Sequence, residues 1–299
     1  MRPQYLKEGD RILEVGAGTG AYSLYYASKG YNWKAQFESW GLKVKVSEHI
    51  TDRIHYDFAG DHKLRAEELT KMVLDKDVKA IVSIRGGYGT MHTIKHLDMN
   101  IFKENPKWII GYSDITILHY ALQKMGIESI HGAMPGTFTE EFDGFSQNSL
   151  KDALFGNVAA YTTNPSKYNN FGAGEGKLIG GNITLLRNLV GTSLDNDYNE
   201  PTILFIEDTE ATPLQDFDRD LQALIHQEDF KHVKAIVIGR FQKGSKVTKE
   251  GLEFVIHTKE ELKDMPVIAN VDFGHTSPIL TIPLGGFAKI ENGCFTIKG

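Results

Sequence analysis

A serine stands between an apolar, strand-like run and a helical pattern. In the stretch WIIGYSDITILHY, residues 108–120, Ser113 and Asp114 occupy the turn between the two. Such a turn lifts a serine hydroxyl out of the carboxyl edge of a sheet, where open α/β sheets bind ligands and where a nucleophile can act. From this tetrapeptide alone, a helix cap formed by Ser113 or Asp114 is the favoured interpretation, because the fuller G-x-S-x-G pattern is absent.

A glycine-rich turn ends the preceding strand-like run. VSIRGGYGT, residues 82–90, has three glycines within four residues. Glycines let a backbone approach a ligand closely and direct N–H groups toward it. Because this turn comes one strand-helix unit before Ser113, we expect both to open on the same sheet edge. The N–H groups of Gly87 and Asp114 would then form an oxyanion hole; a tight turn with no further role is the alternative.

A serine nucleophile needs a base and a carboxylate that orients the base. Among the eleven histidines, His275 follows a strand-like run and a glycine and precedes Thr-Ser-Pro, so it lies on a constrained loop. Glu207 and Asp208 end the apolar strand of PTILFIEDTE, and Glu210 extends this acidic cluster. A carboxylate at the end of a buried strand is costly unless it is paired. A structural loop histidine and a solvated acidic turn are the other interpretations.

A metal site is a further possibility. His92 and His96 have the i, i+4 spacing that can chelate zinc, but neither a third ligand nor an HExxH glutamate accompanies them. We therefore expect no metal and no cofactor.

The elements that must position these residues alternate along the chain. RILEV, LKVKV, VKAIVSI and KWIIGY are predicted strands, and residues 64–75 and 90–102 are predicted helices. A further helix after Asp114 is predicted to end at Gly126. This alternation predicts a doubly wound parallel sheet. From about Lys151 the local composition becomes polar and glycine-rich, and a mixture of predicted strands and helices follows.

Composition excludes several classes of function. The chain has 299 residues, a net charge of −6 and one cysteine, Cys294. The charge gives no basic surface for nucleic acid, and no run is long enough to span a membrane. The single cysteine fits a reducing compartment, and the first ten residues lack the apolar run of an export signal. We expect a cytoplasmic protein.

Eight short motifs resemble those of the serine LD-carboxypeptidase family, which includes the peptidases that confer immunity to microcin C. They appear in the family's order over about residues 38–299. The motifs are FAGDHKLRAEEL, IRGGYGT, GYSDIT, HGAMPG, GGNITLL, LFIEDTE, IVIGRF and DFGHTSPILTIPLG. Together they are more specific than any one of them, and they reverse the preference for a cap at Ser113.

The resemblance implies a Ser-His-Glu triad. Ser113 matches the nucleophile, His275 the general base and Glu207 the carboxylate, with Gly87 and Asp114 as backbone donors of the oxyanion hole. The family fold is a flavodoxin-like N-terminal α/β domain and a smaller mixed α/β C-terminal domain, with the site in the cleft between them. We expect these domains over residues 1–160 and 175–299, joined by a linker over 161–174.

The resemblance also implies a substrate and an assembly. The substrate is a small peptide: a muropeptide that loses a terminal D-alanine by hydrolysis of an L,D-peptide bond during peptidoglycan recycling. The alternative within the family is a microcin C-type peptide. Family members are typically homodimers.

Residues 12–36, which include the stretch LEVGAGTG at 13–20, do not match this family. Residues 12–36 resemble the first motif and helix of an S-adenosylmethionine-dependent methyltransferase, and Glu48 stands where that class has an acidic residue. Later cofactor motifs and an acceptor site are missing. We therefore interpret the segment as the first strand-turn-helix unit of the sheet, with methyl transfer as the more distant alternative.

Overall fold

A computed structural model of the chain describes residues 1–15, 33–50, 52, 54, 60–138, 144–157, 172–195 and 198–298. The chain divides into two compact units, Met1–Asn157 with Thr281–Pro283 and Val158–Leu280 with Leu284–Gly299. The predicted linker, 161–174, falls mostly outside the described residues, so the predicted domain boundaries stay a prediction. The glycines of LEVGAGTG also lie outside the described residues.

Strands and helices alternate through most of the described chain. The strands are β1 (Arg11–Val15), β2 (Lys43–Val46), β3 (Val78–Ser83), β4 (Trp108–Gly111), β5 (Ser129–His131), β6 (Ala173–Asn182), β7 (Thr202–Glu207), β8 (Val233–Gly239), β9 (Val267–Val271), β10 (Ile282–Leu284), β11 (Phe287–Glu291) and β12 (Cys294–Lys298). The α-helices are α1 (Trp33–Ser39), α2 (His62–Leu74), α3 (Thr90–Thr93), α4 (Asn100–Glu104), α5 (Thr116–Lys124), α6 (Gly144–Phe155), α7 (Ile183–Leu189), α8 (Leu214–Ile225) and α9 (Lys249–His257). No helix of the described residues is long and apolar enough to cross a membrane.

The first unit is built on a sheet in the order β10-β5-β4-β3-β1-β2. The neighbouring strands from β2 to β5 pair in parallel. The order 2-1-3-4-5 is that of flavodoxin-like folds, so the predicted fold class is confirmed. β10 comes from late in the chain and adds the strand beside β5, which the sequence did not indicate.

Burial explains why the central strands read as continuous apolar runs. Ile81 and Val82 in β3 and Ile109 and Ile110 in β4 are at most 1% exposed, although consecutive residues point to opposite faces of a sheet. Both faces of these strands are therefore covered, as in parallel sheets flanked by helices.

The second unit has a mixed sheet in the order β12-β11-β6-β7-β8-β9. Strands β6 to β9 pair in parallel, whereas β11 is antiparallel to both β6 and β12. This agrees with the expected mixed α/β C-terminal fold.

One predicted helix is wrong in its extent. Residues 90–102 form two short helices, α3 and α4, with a 3-10 turn after α3, instead of one continuous helix. Leu97 is extended, with φ −94° and ψ 131°, and Asp98 accepts a hydrogen bond from the Asn100 N–H at 3.0 Å. The aspartate side chain offers the backbone an alternative to the helical hydrogen bond, and the helix restarts beyond it.

Helix α5 follows β4 in the chain, and its buried residue His119 contacts both the end of β4 and the start of β5. The helix ends as predicted, with Gly126 at φ +70° and hydrogen bonds from Gly126 N–H to Gln123 and from Ile127 N–H to Leu122. His119 Nε2 lies 2.9 Å from the Gly111 carbonyl oxygen, and its Nδ1 lies 2.9 Å from Ser129 Oγ. A carbonyl only accepts, so Nε2 carries the proton and Nδ1 accepts from the serine hydroxyl.

We expect His119 to make stability depend on pH. Burial lowers the pKa of His119 to about 4. Between about pH 6.5 and 4 the unfolded chain binds this proton and the folded chain does not, so the free energy of unfolding falls by about 3 kcal/mol as the pH falls through that range. His119→Gln keeps a donor and an acceptor but does not titrate. Urea unfolding at a series of pH values should show the parent losing more stability than His119→Gln; equal losses would contradict this assignment.

Candidate active site

The turn after β4 holds Ser113 in a backbone conformation that is rare for its residue type. Its φ is +62°, and a 3-10 turn, Ser113–Ile115, leads directly into α5. Left-handed backbone at a residue other than glycine costs about 1–2 kcal/mol and clusters at functional sites. The residue at the N-cap position of α5 is Ile115, and the Asp114 carboxylate is directed to another helix. The geometry therefore favours the nucleophile interpretation over the helix cap.

The glycine turn after β3 reaches the turn that carries Ser113, as expected for neighbouring parallel strands. A Cβ added at Gly86 would lie 2.9 Å from Ser113 Cβ, 3.0 Å from Ser113 Oγ and 3.4 Å from the Asp114 nitrogen. Only a residue without a side chain fits there. Gly87 has φ +138°, a conformation that favours glycine. Its role as an oxyanion donor, like that of the Asp114 N–H, stays a prediction.

Asp114, the residue after Ser113, is buried. It is 1% exposed, and its carboxylate accepts hydrogen bonds from the Thr90 N–H and the Thr90 hydroxyl, both at 2.8 Å. Burial raises the pKa of Asp114, while the hydrogen bonds from Thr90 and the charge of Arg65 oppose the rise. The sequence pointed to Asp114 as a helix cap or as a backbone donor, and it did not indicate this contact with Thr90.

Glu207 and His275 form a buried pair in the second unit. His275 Nδ1 lies 2.6 Å from Glu207 Oε2, and the two side chains are 16% and 1% exposed. Burial lowers the pKa of His275, but the charge and hydrogen bond of Glu207 and the charge of Asp208 outweigh it, so the pKa is raised overall. The pairing that the sequence suggested for these two residues is present.

Two glycines leave the space that Glu207 fills. A Cβ at Gly274 would lie 2.6 Å from Glu207 Oε2, and Gly274 has φ +93°. A Cβ at Gly239, the last residue of β8, would lie 2.9 Å from Glu207 Cβ. Two separate reasons therefore require a glycine before His275: the positive φ of the backbone, and the Glu207 carboxylate that leaves no room for a side chain.

The loop that carries His275 is held at both ends by one arginine. Arg240 Nη2 lies 2.7 Å from Asp272 Oδ1 and donates to the Ser277 carbonyl at 3.1 Å. The sequence did not single out Arg240, because an arginine after a strand carries no signal of the loop that it contacts.

A polar network supports the end of β7. Asp208 accepts from Asn182 Nδ2 at 2.9 Å and from Thr184 Oγ1 at 2.7 Å. Asn182 and Thr184 belong to the GGNITLL motif, so this motif fixes the residue that follows Glu207. Its function was not apparent from sequence.

The candidate residues fall into two groups. Gly87, Ser113 and Asp114 lie in the first unit, and Glu207 and His275 lie in the second. Each group is assembled within its own unit. That Ser113 and His275 act on one substrate stays a prediction.

The histidines considered for metal binding have another contact. The His92 ring stacks on the His62 ring at 4.6 Å with an interplanar angle of 13°. Within the part of the chain that the structure describes, no group of three or more His, Cys, Asp or Glu residues could hold a metal ion.

Comparison with known proteins gives matches in both halves of the chain. The families described as LD-carboxypeptidase N-terminal domain and LD-carboxypeptidase C-terminal domain match residues 22–132 and 175–290. The Bacillus subtilis protein named "Putative carboxypeptidase YocD" is 38% identical, over 96% of this chain and 94% of its own. The "Probable murein peptide carboxypeptidase" of the same organism is 31% identical, over 85% of this chain and 81% of its own. The crystal structure of an MccF-like protein from Bacillus anthracis has a TM-score of 0.90 at 31% identity, covering 99% of both chains.

The match to the N-terminal domain begins inside the segment that sequence reasoning set apart. Residue 22 lies within 12–36, which we expected to depart from the family over its whole length. The departure is therefore shorter than expected, since the later part of the segment falls within the match.

We expect the space at Gly86 to control access to the Ser113 hydroxyl. In Gly86→Ala a methyl group would crowd Ser113 Cβ and Oγ, so covalent labelling by a fluorophosphonate should slow by about tenfold or more. Gly144→Ala is the matched control, because a Cβ there meets nothing within 4 Å. Melting temperatures first establish that both variants are folded. Their labelling rates then test the contact between position 86 and Ser113, and equal rates would contradict it.

We expect Glu207 to set the pKa of His275. In the parent, an NMR titration should give a pKa above the usual 6.5, because the carboxylate stabilises the imidazolium. In Glu207→Gln burial remains and the charge is gone, so the pKa should fall below 6.5. The paired charge also contributes stability that is present at low pH and is lost as the pH rises through this pKa.

The control for this titration is Glu210→Gln. Glu210 is an exposed carboxylate of the same acidic cluster. Its replacement should leave the His275 pKa unchanged. An equal fall in both variants would mean that the general negative charge of the cluster, and not the charge and hydrogen-bond acceptor of Glu207, raises the pKa of His275.

Proposed function

This chain belongs to the LD-carboxypeptidase family, and on that premise we propose that it is a serine-type carboxypeptidase acting on muropeptides. It hydrolyses an L,D-peptide bond and releases a terminal D-alanine. The observation that carries the proposal is the 2.6 Å contact between His275 Nδ1 and the buried Glu207 carboxylate. A carboxylate on Nδ1 fixes the imidazole tautomer and leaves Nε2 to accept a proton, which is how a general base is prepared for a serine.

In the proposed reaction, Ser113 is the nucleophile. Its Oγ attacks the carbonyl carbon of the peptide bond while His275 Nε2 takes the hydroxyl proton. Glu207 stabilises the imidazolium that forms, and its contact with Nδ1 keeps the ring oriented. The N–H groups of Gly87 and Asp114 bind the oxyanion of the tetrahedral intermediate.

The remaining steps return the enzyme to its starting state. His275 gives its proton to the leaving amine of D-alanine, and an acyl-enzyme on Ser113 Oγ remains. Water then attacks the ester carbonyl while His275 Nε2 takes one of its protons. As the tetrahedral intermediate collapses, the bond to Ser113 Oγ breaks, His275 returns the proton to Oγ, and the shortened peptide leaves with a new carboxyl group. The proposed reaction uses side chains and backbone N–H groups of this chain together with water, and it needs no cofactor.

The muropeptide is favoured as substrate by one relative in particular. The B. subtilis protein at 31% identity is named for murein peptides, and its match extends over 85% of this chain. A peptidoglycan fragment supplies a terminal D-residue after an L-centre, which is the kind of bond that the family name describes. Recycling of such fragments agrees with the proposed cytoplasmic location and with a single cysteine.

A microcin C-type immunity peptidase is the second candidate. The observation that favours it is the similarity to the MccF-like protein, with a TM-score of 0.90 over 99% of both chains. The triad chemistry would be the same, and the difference would lie in the group next to the scissile bond. The methyltransferase alternative is less favoured, because the family match includes residues 22–36 of the segment that prompted it.

The proposal includes a homodimer, which rests on the family resemblance. Light scattering coupled to size exclusion would test it: a mass near twice 33.4 kDa is expected.

We expect Ser113→Ala to abolish release of D-alanine from a muropeptide tetrapeptide. Loss of a triad serine costs roughly 10⁴–10⁶-fold in kcat. Released D-alanine is measured with D-amino acid oxidase, and the melting temperature of the variant should match that of the parent. A tetrapeptide ending in L-alanine is the substrate control and should be inert.

Two outcomes would overturn parts of this proposal. Turnover by Ser113→Ala close to that of the parent would eliminate the serine mechanism. Cleavage of a microcin C-type substrate, with the muropeptide left intact and Ser113 still required, would keep the mechanism and replace the substrate by the second candidate.

A further inference from the structure

The first unit buries two ionisable side chains that the proposed mechanism does not use. Asp114 and Arg65 are 1% and 3% exposed. The mechanism assigns a role to the Asp114 N–H and none to its carboxylate. Removing two ionised groups from water costs several kcal/mol each unless hydrogen bonds and opposite charge compensate for it. A group kept at that cost, directly next to the nucleophile, requires an explanation.

The contacts of the carboxylate connect the two turns of the active site. Asp114 follows Ser113 in the chain, and Thr90 follows the glycine turn, residues 86–89. Asp114 Oδ2 accepts from both the N–H and the hydroxyl of Thr90, each at 2.8 Å. One carboxylate oxygen therefore links the residue after the nucleophile to the residue after the predicted oxyanion turn.

Arg65 supplies the compensating charge from α2. Arg65 and Thr90 line the same cavity, of about 30 Å³, together with Ser83. Burial lowers the pKa of Arg65, and the negative charge of Asp114 opposes that change. The arginine thus makes an ionised carboxylate at position 114 less costly, and the ionised form is the stronger acceptor for Thr90.

This link fixes a spacing on which catalysis depends. The two predicted oxyanion donors belong to different turns, the Gly87 N–H to one and the Asp114 N–H to the other. Stabilisation of an oxyanion requires both donors to be within about 0.5 Å of their productive positions. Gly86 already lies against Ser113 with no room for a Cβ, so a small displacement of either turn changes this geometry.

We propose that Asp114, through its carboxylate contact with Thr90, is a positioning residue that holds the glycine turn and the nucleophile turn in register for oxyanion binding. The inference rests on the proposed function of Ser113. It assigns the Asp114 side chain and Thr90 to the support of the reaction and not to contact with substrate.

The test compares two substitutions at Thr90, which is 5% exposed. Thr90→Val keeps the volume and the backbone N–H but removes the hydroxyl donor. Thr90→Ser keeps the hydroxyl and removes a methyl group. We expect Thr90→Val to lower kcat for D-alanine release by about tenfold with KM changed less than twofold, because a hydrogen bond to a charged group is lost. Thr90→Ser should keep at least half of kcat.

A packing role would give the opposite order, since serine leaves a small cavity and valine does not. Activity loss in Thr90→Ser equal to or greater than that in Thr90→Val would therefore overturn the proposal. A second readout is inhibition by a phosphonate that mimics the tetrahedral intermediate. Its affinity should fall about tenfold in Thr90→Val, while the affinity of the product muropeptide stays the same. Equal losses for both ligands would also contradict the proposal.

Thr90→Ala keeps the test possible if valine prevents folding, and it should show the same loss of kcat. The experiment also separates this inference from the proposed function. Loss of activity in Ser113→Ala together with parent-like kinetics in Thr90→Val would overturn the positioning role alone. Activity that survives in Ser113→Ala would overturn the proposed function, and the inference with it.

Discussion

The second unit is organised around a carboxylate that is almost completely removed from water. Glu207 is 1% exposed, and burial of an unpaired charge at the end of a strand would be prohibitively costly. The hydrogen bond to His275 offsets that cost, and the surrounding backbone is shaped to permit it. Gly239 and Gly274 leave room for the side chain, and Arg240 holds both ends of the histidine loop. Structural necessity and the proposed catalysis therefore select the same residues.

The first unit shows the same principle at the turn that carries Ser113. Ser113 adopts a left-handed backbone, and Gly86 brings a second turn against it. Neither feature stabilises the fold by itself. The buried strands β3 and β4 hold both turns in place. Two hydrogen bonds add to this, one from the Thr90 hydroxyl to the Asp114 carboxylate and one from the His119 ring to the Gly111 carbonyl. A rigid sheet with strained turns at its carboxyl edge is the arrangement from which α/β enzymes derive activity.

Sequence reasoning predicted the features that depend on local pattern. The central strands, the serine turn and the pairing candidates at Glu207 and His275 follow from periodicity, from glycine positions and from motif order. What it missed depends on contacts between residues distant in the chain. The break after Leu97 comes from a side chain competing with the helix, and β10 returns to the first sheet after more than 120 residues spent mainly in the second unit. Arg240, Arg65 and the Asp114 carboxylate have no local signature, because their partners become visible only in the fold.

The central claim is that Ser113 and His275 act together, and one titration tests it directly. The rate at which a fluorophosphonate labels Ser113 is measured across pH and compared with the NMR titration of His275. If His275 is the base, labelling rises with the same midpoint as the loss of the imidazolium proton, and in Glu207→Gln both midpoints move to lower pH together. A labelling rate that does not follow the His275 titration, or that keeps its midpoint when Glu207→Gln shifts the histidine, would contradict the account.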